Sequence, residues 1–453
     1  MLIGLLLALA GLTPGPVSGA PPPNFIIILV DDMGWRDLGC YGSTFYRTPH
    51  TDRLAAQGMR FTDAYAACPV CSPTRASILT GRYPARLQLT DFIGGRADRP
   101  SQKLLKARTR RFLPLEEVTL ARALKPAGYV SASIGKWHLG TEPYYPEKHG
   151  FDVNVGGTDT GSPPGGYFRF KTPTMSARND QEYLTDRLTE EAEKFIDKNQ
   201  DRPFFLYLAH YAVHIPLQAR EDILSRYHAK PGATQNNSLY AAVVESVDDS
   251  VGRIMKKLHN LKIADNTIII FTSDNGGLSV REGPNTPATS NAPLRTGKGY
   301  LYEGGIREPL IVRWPGVVKP GSICAVPVCS VDFYATILEI ANVKAVRKPD
   351  GVSLVPILRR TGGLRRQALY WHYPHYSNQG GKPSGAIRQG DYKLIEFYED
   401  GKLELYNLKD DIGEKTDLAS RMPQNAKKLH AMLEAWRKAV GARMPTPNPN
   451  YRR

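Results

Sequence analysis

The sequence predicts an α/β fold: a large, mostly parallel central sheet between helices, plus a smaller C-terminal domain with an antiparallel sheet and a terminal helix. Three observations predict it. Short β-branched or aromatic runs at 25–30, 130–134, 204–208 and 268–272 read as fully buried strands. Between them, apolar residues recur at the three-to-four spacing of helices packed on a sheet, and strands alternating with helices imply parallel pairing. The chain has 453 residues, more than one compact core usually serves, so two unequal domains are expected.

Taken in order, residues 1–20 hold an apolar run from Leu2 to Leu12, a Pro/Gly break and the small residues Ser18, Gly19 and Ala20. That pattern reads as a secretory signal peptide cleaved near Ala20, so the mature chain is expected to be exported. The large domain spans 21–365. Within it, Leu184, Leu188 and Phe195 mark one amphipathic helix, and Tyr240, Val243, Val247, Val251, Ile254 and Leu258 mark another. Ser72, Pro73 and Gly81 suit the cap, first position and end of a helix, which sets Cys71 just before its N-terminus. The Pro/Gly-rich loop from Gly161 to Gly166 reads as a surface connection. In the small domain, 366–453, alternating stretches at 386–397 and 402–408 precede a helical stretch at 424–440.

With 41% hydrophobic and 23% charged residues, the composition is that of a folded globular protein and excludes disorder. No later stretch approaches the roughly 18 uncharged apolar residues of a membrane span, so no membrane association is expected after signal cleavage. A net charge of +15 points to an anionic partner. No nucleic-acid motif accompanies it, and the basic runs at 103–111 and after 427 lack interleaved aromatics, as a solvated face would. The five cysteines are Cys40, Cys68, Cys71, Cys324 and Cys329. An odd number in an exported chain leaves at least one unpaired or chemically special, and the other four can form up to two disulfides.

Chemistry gathers after the strands: Asp31 and Asp32 after the first, Lys136 and His138 after the second, His210 and His214 after the third, Asp274 and Asn275 after the fourth. Ligands of open α/β sheets bind at the carboxyl ends of strands, so these groups are expected to converge. Asp31, Asp32, Asp274 and Asn275 offer only oxygens, which suits Ca²⁺ or Mg²⁺ rather than zinc. Lys136, Lys298 and Arg75 are the cations that relieve the crowded carboxylates and attract an oxyanion. Each feature alone has a plain structural explanation: an Asp pair caps turns, and a histidine satisfies a core.

The longest motif is Cys71-Ser72-Pro73-Thr74-Arg75-Ala76-Ser77-Ile78-Leu79-Thr80-Gly81-Arg82. Cys-x-Pro-x-Arg followed by Ala-Ser-x-Leu-Thr-Gly-Arg resembles the signature of the sulfatases, in the alkaline-phosphatase-like superfamily. Four further blocks resemble the family in the same order: 24–35 around Asp31-Asp32, Gly135-Lys136-Trp137-His138-Leu139-Gly140, Thr272-Ser273-Asp274-Asn275-Gly276-Gly277, and Gly297-Lys298-Gly299 leading to Glu303-Gly304-Gly305-Ile306-Arg307. The resemblance implies a sulfuric ester hydrolase acting on a sulfated carbohydrate or aryl sulfate, with 21–365 as its catalytic domain. It implies one Ca²⁺ held by Asp31, Asp32, Cys71, Asp274 and Asn275, and a maturation enzyme that oxidises Cys71 to formylglycine, the nucleophile. The catalytic set it implies is Cys71, Arg75, Lys136, His138, His214, Asp274 and Lys298, with His138 as base and His214 with Lys298 as acid; His210, nearer the strand end, is the rival to His214.

Trp371 to Tyr376 combines stacking surfaces with hydrogen-bonding groups, so His372 and His375 are candidate sugar contacts, and Arg388 a candidate reader of a further anionic group. A domain interface explains the same residues. Two rival functions remain: a phosphoester or phosphonate-ester hydrolase of the same superfamily, separated by assaying matched sulfate and phosphate esters, and a non-catalytic module that holds sulfated glycans with Cys71 unmodified.

Overall fold

Every residue of β1 (Asn24–Val30) is buried, and alternate side chains serve two different cores. The computed structural model describes residues 21–229 and 233–452, so the expected signal segment 1–20 lies outside the described residues. After β1 the chain forms α1 (Pro49–Gln57), β2 (Met59–Phe61), α2 (Cys71–Thr80), β3 (Val130–Gly135), β4 (Val153–Val155) and α3 (Leu184–Lys198). Then follow β5 (Phe204–Ala209), α4 (Ser238–Asn260), β6 (Thr267–Ser273), β7 (Leu310–Arg313) and β8 (Ser322–Cys324). These strands make an eight-stranded sheet in the order β8-β2-β7-β6-β1-β5-β3-β4. β7 runs against both β6 and β2, and the other pairings are parallel.

Ile26, Ile28 and Val30 face α3 and α4 in one core, where Leu188, Val243, Val247 and Val251 pack on Leu206 and Ile269. Phe25, Ile27 and Leu29 face the other way, onto Ile78 and Leu79 of α2 and Phe333 and Ile337 of a later helix. The two cores are the physical reason the strands carry unbroken apolar runs instead of alternation. All four strands read from the sequence are present, extended by one or two residues.

The small domain is a four-stranded antiparallel sheet of β9 (Leu369–Tyr373), β10 (Ser384–Gln389), β11 (Tyr392–Phe397) and β12 (Leu403–Asn407), covered by α5 (Pro423–Val440). Leu429 and Leu433 of α5 pack on Ile387, Leu394 and Leu405. The alternating stretch at 386–397 is thus two strands, turned at Gly390 with φ of 58°, a left-handed conformation that suits glycine. A third apolar cluster, including Tyr65, Ile306, Trp371 and Tyr406, joins this domain to the large one.

Two local expectations are corrected. α2 begins at Cys71 itself, with Val70 at its N-cap and no side-chain cap; the Ser72 hydroxyl instead accepts from Ile93 N at 3.0 Å. Gly81 does end the helix, at φ of 68°. All five cysteines are free thiols, so no disulfide forms among them. No helix among the described residues is long and apolar enough to cross a membrane.

Candidate active site

The carboxyl ends of β1, β3, β5 and β6 deliver the expected groups to one place, as the parallel sheet requires. Backbone bonds lock the strand exits together: Asp31 N donates to Ala212 O at 2.8 Å, Lys136 N to Ala209 O at 2.7 Å, and Asp274 N to Val30 O at 3.1 Å. Asp32 and His138 turn through left-handed φ angles of 64° and 57°, unfavourable for non-glycine residues and met most often where a site demands them.

Arg75, fully buried on α2, donates through Nε to Asp274 Oδ2 at 2.7 Å and through Nη1 to Lys136 O at 2.9 Å. Lys136 Nζ donates to Asp31 Oδ2 at 2.5 Å. Lys298 Nζ donates to Asp32 Oδ2 at 2.7 Å and to His214 Nε2 at 3.1 Å. Asn275 Nδ2 reaches Asp32 Oδ1 at 2.8 Å. Burial and the neighbouring Asp274 carboxylate push the Asp31 carboxyl well above the usual range. Burial also opposes ionisation of Asp32, but Lys298, His214 and Lys136 overcome it and hold that carboxyl well below the range.

The histidines have readable tautomers. His138 Nε2 lies 2.9 Å from Ile93 O, so it carries the proton, and the bare Nδ1 faces Cys71 Sγ at 3.3 Å. His214 Nδ1 lies 2.6 Å from Ile215 O, which leaves Nε2 to accept from Lys298. Burial, with Lys136 beside one and Lys298 beside the other, holds His138 well below its ordinary value and His214 at about 3. Burial pushes the Cys71 thiol up; a neutral thiol is a poor nucleophile.

The donor set fits a hard cation. Asp31 Oδ1 and Asn275 Oδ1 are buried without hydrogen-bond partners, and unpaired buried oxygens are expensive unless a ligand satisfies them. Asp31, Asp32 and His214 also bring ligand atoms within 4.8 Å of one another. Since His214 Nε2 already accepts from Lys298, the oxygens of Asp31, Asp32, Asp274 and Asn275 are the better set for Ca²⁺. Of these groups, only His214 is appreciably exposed, its side chain at 14%. Beside it lies a cavity of about 320 Å³ walled by Ser162, Ile215, Leu217, Pro284 and Asn285.

The Sulfatase family model matches residues 23–343, most of the chain and every group just described. The chain belongs to the sulfatase family. A second family model, N-sulphoglucosamine sulphohydrolase, C-terminal, matches residues 296–439 of this sulfatase. It is 38% identical to N-acetylgalactosamine-6-sulfatase of Sus scrofa, over 81% of this chain and 71% of that one. It is 34% identical to a sulfatase of Formosa agariphila, over 91% and 88%. Among solved structures, Ps i-CgsB in complex with k-i-k-neocarrahexaose is similar with a TM-score of 0.78 and 29% identity, covering 92% of this chain and 93% of that one. The phosphonate monoester hydrolase of Agrobacterium radiobacter, at 20% identity and a TM-score of 0.70, shares the fold. The chain is therefore an enzyme of sulfate ester hydrolysis.

The sulfatase's three candidate sugar contacts are buried and bonded to other parts of the chain. His372 is buried between Tyr398 Oη at 2.8 Å and Arg443 O at 2.9 Å. His375, also buried, bonds Thr90 Oγ1 at 2.8 Å. Arg388 pairs with Asp63 at 2.7 Å and with the Tyr65 hydroxyl inside the domain interface, so it has no free face for a substrate anion. His210 bonds Ser250 in the core at 3.1 Å, so of the two histidines after β5 it is His214 that meets the cluster, beside Lys298. Sequence reading missed the loop 161–166, which is no mere surface connection: a Cβ on Gly161 would lie 2.7 Å from His138 Cε1. It also missed Glu308, buried with both carboxyl oxygens unpaired and pushed well up by burial, with Asp274 adding to the shift. A lone glycine and a lone glutamate carry no pattern that would single them out.

Proposed function

We propose that the protein is an exported, formylglycine-dependent sulfatase that removes sulfate from a sulfated carbohydrate, with Ca²⁺ held by Asp31, Asp32, Asp274 and Asn275 and by the converted side chain of residue 71. One observation carries this reading: the bare Nδ1 of His138 faces Cys71 at 3.3 Å inside a wall of buried cations. A buried neutral thiol there has little chemistry of its own, whereas a hydrated aldehyde supplies one hydroxyl to attack sulfur and a second whose deprotonation releases sulfate. Ca²⁺, when bound, supplies positive charge that neutralises the sulfuryl oxygens.

The chain's own residues divide the remaining work. Arg75 and Lys136 orient residue 71 and offset developing negative charge. Asp274 accepts the proton of the attacking hydroxyl, and His138 accepts the proton of the second one. Lys298 hands a proton to the departing oxygen, and the neutral Nε2 of His214, which accepts from that ammonium, orients it. Because His214 opens onto the cavity of Ser162, Leu217 and Asn285, the leaving sugar sits there. The names of the similar proteins support carbohydrate over aryl sulfate: N-acetylgalactosamine-6-sulfatase, and a complex with k-i-k-neocarrahexaose. Export rests on the signal pattern of residues 1–20, and the domain boundary near 365 on the onset of β9 at Leu369.

The test is a peptide mass over Cys71 alongside an aryl sulfate assay on the same sample. The expected result is a loss of about 18 Da, CH₂SH becoming CHO, together with sulfate release. Unmodified Cys71 in an active sample overturns the mechanism, and preference for the matched phosphate ester overturns the substrate class.

A further inference from the structure

At the amino-terminal end of β6, opposite the end that carries Asp274, α1 and α4 flank a groove of about 980 Å³. Strands rise roughly 3.3 Å per residue, so the length of β6 sets this groove on the order of 20 Å from the catalytic edge. Its walls carry Arg53 from α1, Lys256 from α4, Lys262 from the turn after α4, and Arg313 at the end of β7. Neighbouring cations are spent in pairs, Arg253 with Glu193 and Lys257 with Asp197. Arg53, Lys256 and Lys262 are exposed and have no carboxylate within ion-pair distance among the described residues.

The groove is also built, not merely charged. A Cβ on Gly252 would lie 2.6 Å from His50 Cγ, so glycine there lets α1 lie close against α4. Asp248 of α4 accepts from the backbone N of His50 and Thr51 at 3.0 and 2.7 Å, which holds the start of α1 and keeps that carboxylate out of the groove. Arg313 is fixed by Gln57 Oε1 at 3.1 Å and Ala264 O at 2.8 Å. Its nearest acid, Asp265, is 3.9 Å away and almost wholly exposed. Burial pulls Arg313 below its ordinary value because that one acid compensates it poorly, and an anion in the groove would restore the balance.

We propose that this groove is a second binding site, separate from the catalytic centre, for a sulfated glycan chain. The occupant follows from the surface: unpaired cations suit sulfate groups, and the half-buried Met255, packed over the buried Leu258 and Ile269, offers an aliphatic contact for the apolar face of a sugar ring. Among the described residues no Phe, Tyr or Trp lines the groove, so nucleobases would find no stacking platform there. The choice of glycan rests on the sulfatase reading of the catalytic site. Held by the groove, a polymer is presented to the active site at raised local concentration.

The decisive comparison uses the full chain, its Cys71→Ser variant, and the triple variant Arg53→Glu, Lys256→Glu, Lys262→Glu, on immobilised chondroitin sulfate. The triple variant is expected to bind on the order of 10- to 100-fold more weakly at low salt, with an unchanged melting temperature and an unchanged rate on 4-nitrophenyl sulfate. Cys71→Ser is expected to bind as the parent does, because the groove needs no catalytic residue. Failure of the parent to bind, or equal binding by parent and triple variant, overturns the proposal. Stronger competition by a single-stranded oligonucleotide of matched charge overturns the ligand class. A parent that binds the polymer yet releases no sulfate from either substrate would sink the catalytic reading while the groove stands.

Discussion

His138 can accept a proton from residue 71 in only one tautomer, and Ile93 selects it. The carbonyl of Ile93 takes the Nε2 proton, so the ring nitrogen 3.3 Å from Cys71 is the one with the lone pair. Replacing His138 by Asn keeps a polar side chain but removes that basicity. The expected outcome is a fall in kcat of about 10²- to 10⁴-fold, with a parallel fall in KM for an aryl sulfate that leaves kcat/KM little changed. A sulfated residue 71 should then persist, visible as a mass increase of the active-site peptide after brief exposure to substrate. Equal falls in kcat and kcat/KM without that adduct would assign His138 a role before sulfate transfer.

Elements explain what the sequence made legible. β1, β3, β5 and β6 are buried on both faces, so their apolar runs could be read directly, and the residues just past their ends had to meet at one edge. The polar set from Asp31 to Lys298 was therefore legible as a cluster. β2, β4 and β8 are three residues long, too short for any period to emerge, and β7 sits inside the sheet only through tertiary pairing. The small domain misled for a different reason. Trp371, His372 and Arg388 look like a binding wall in sequence because aromatic, imidazole and guanidinium groups serve interfaces and ligands alike. Only their partners distinguish the two. Arg388 on β10 joins Asp63 and Tyr65 of the large domain, and on β11 Lys393 Nζ lies 2.9 Å from both Glu303 and Glu414. Removing one member of such a buried network strands its partners, at a cost of about 3–5 kcal/mol. Arg388→Met is thus expected to lower the unfolding free energy by that order in a denaturant titration and to leave KM unchanged in the folded fraction. A raised KM with unaltered stability would restore Arg388 to the substrate site.

The whole molecule carries a pH dependence that no single site dictates. His149, His210, His372 and His375 are buried, and burial depresses each: His149 and His372 to about 4, His210 and His375 to about 3. An unfolded chain protonates these residues near pH 6.5. Their folded values are lower, so their contribution is fully present above pH 6.5 and is lost as pH falls through 6.5 toward 4 to 3. Each buried imidazole that stays neutral surrenders roughly 1.4 kcal/mol per pH unit in that window. Glu414 opposes them. Burial and the nearby Glu303 carboxylate raise it to about 7 despite Lys393, so its contribution is present below the unfolded value and is lost as pH rises through about 7. His138 and His214 are depressed as well, and Asp91, raised to about 6, and Glu308 stand with Glu414; the melting temperature is expected to fall from pH 6.5 to pH 4, where the imidazole contributions are lost. His372 tests the attribution, since it lies in the small domain with Tyr398 and Arg443, clear of the catalytic cluster. His372→Gln should melt lower at pH 7.5, having lost two directed hydrogen bonds, and should show a shallower decline below pH 6.5, because nothing there remains to be protonated. A decline parallel to the parent's would assign the acid sensitivity to the carboxylates of the ion pairs instead.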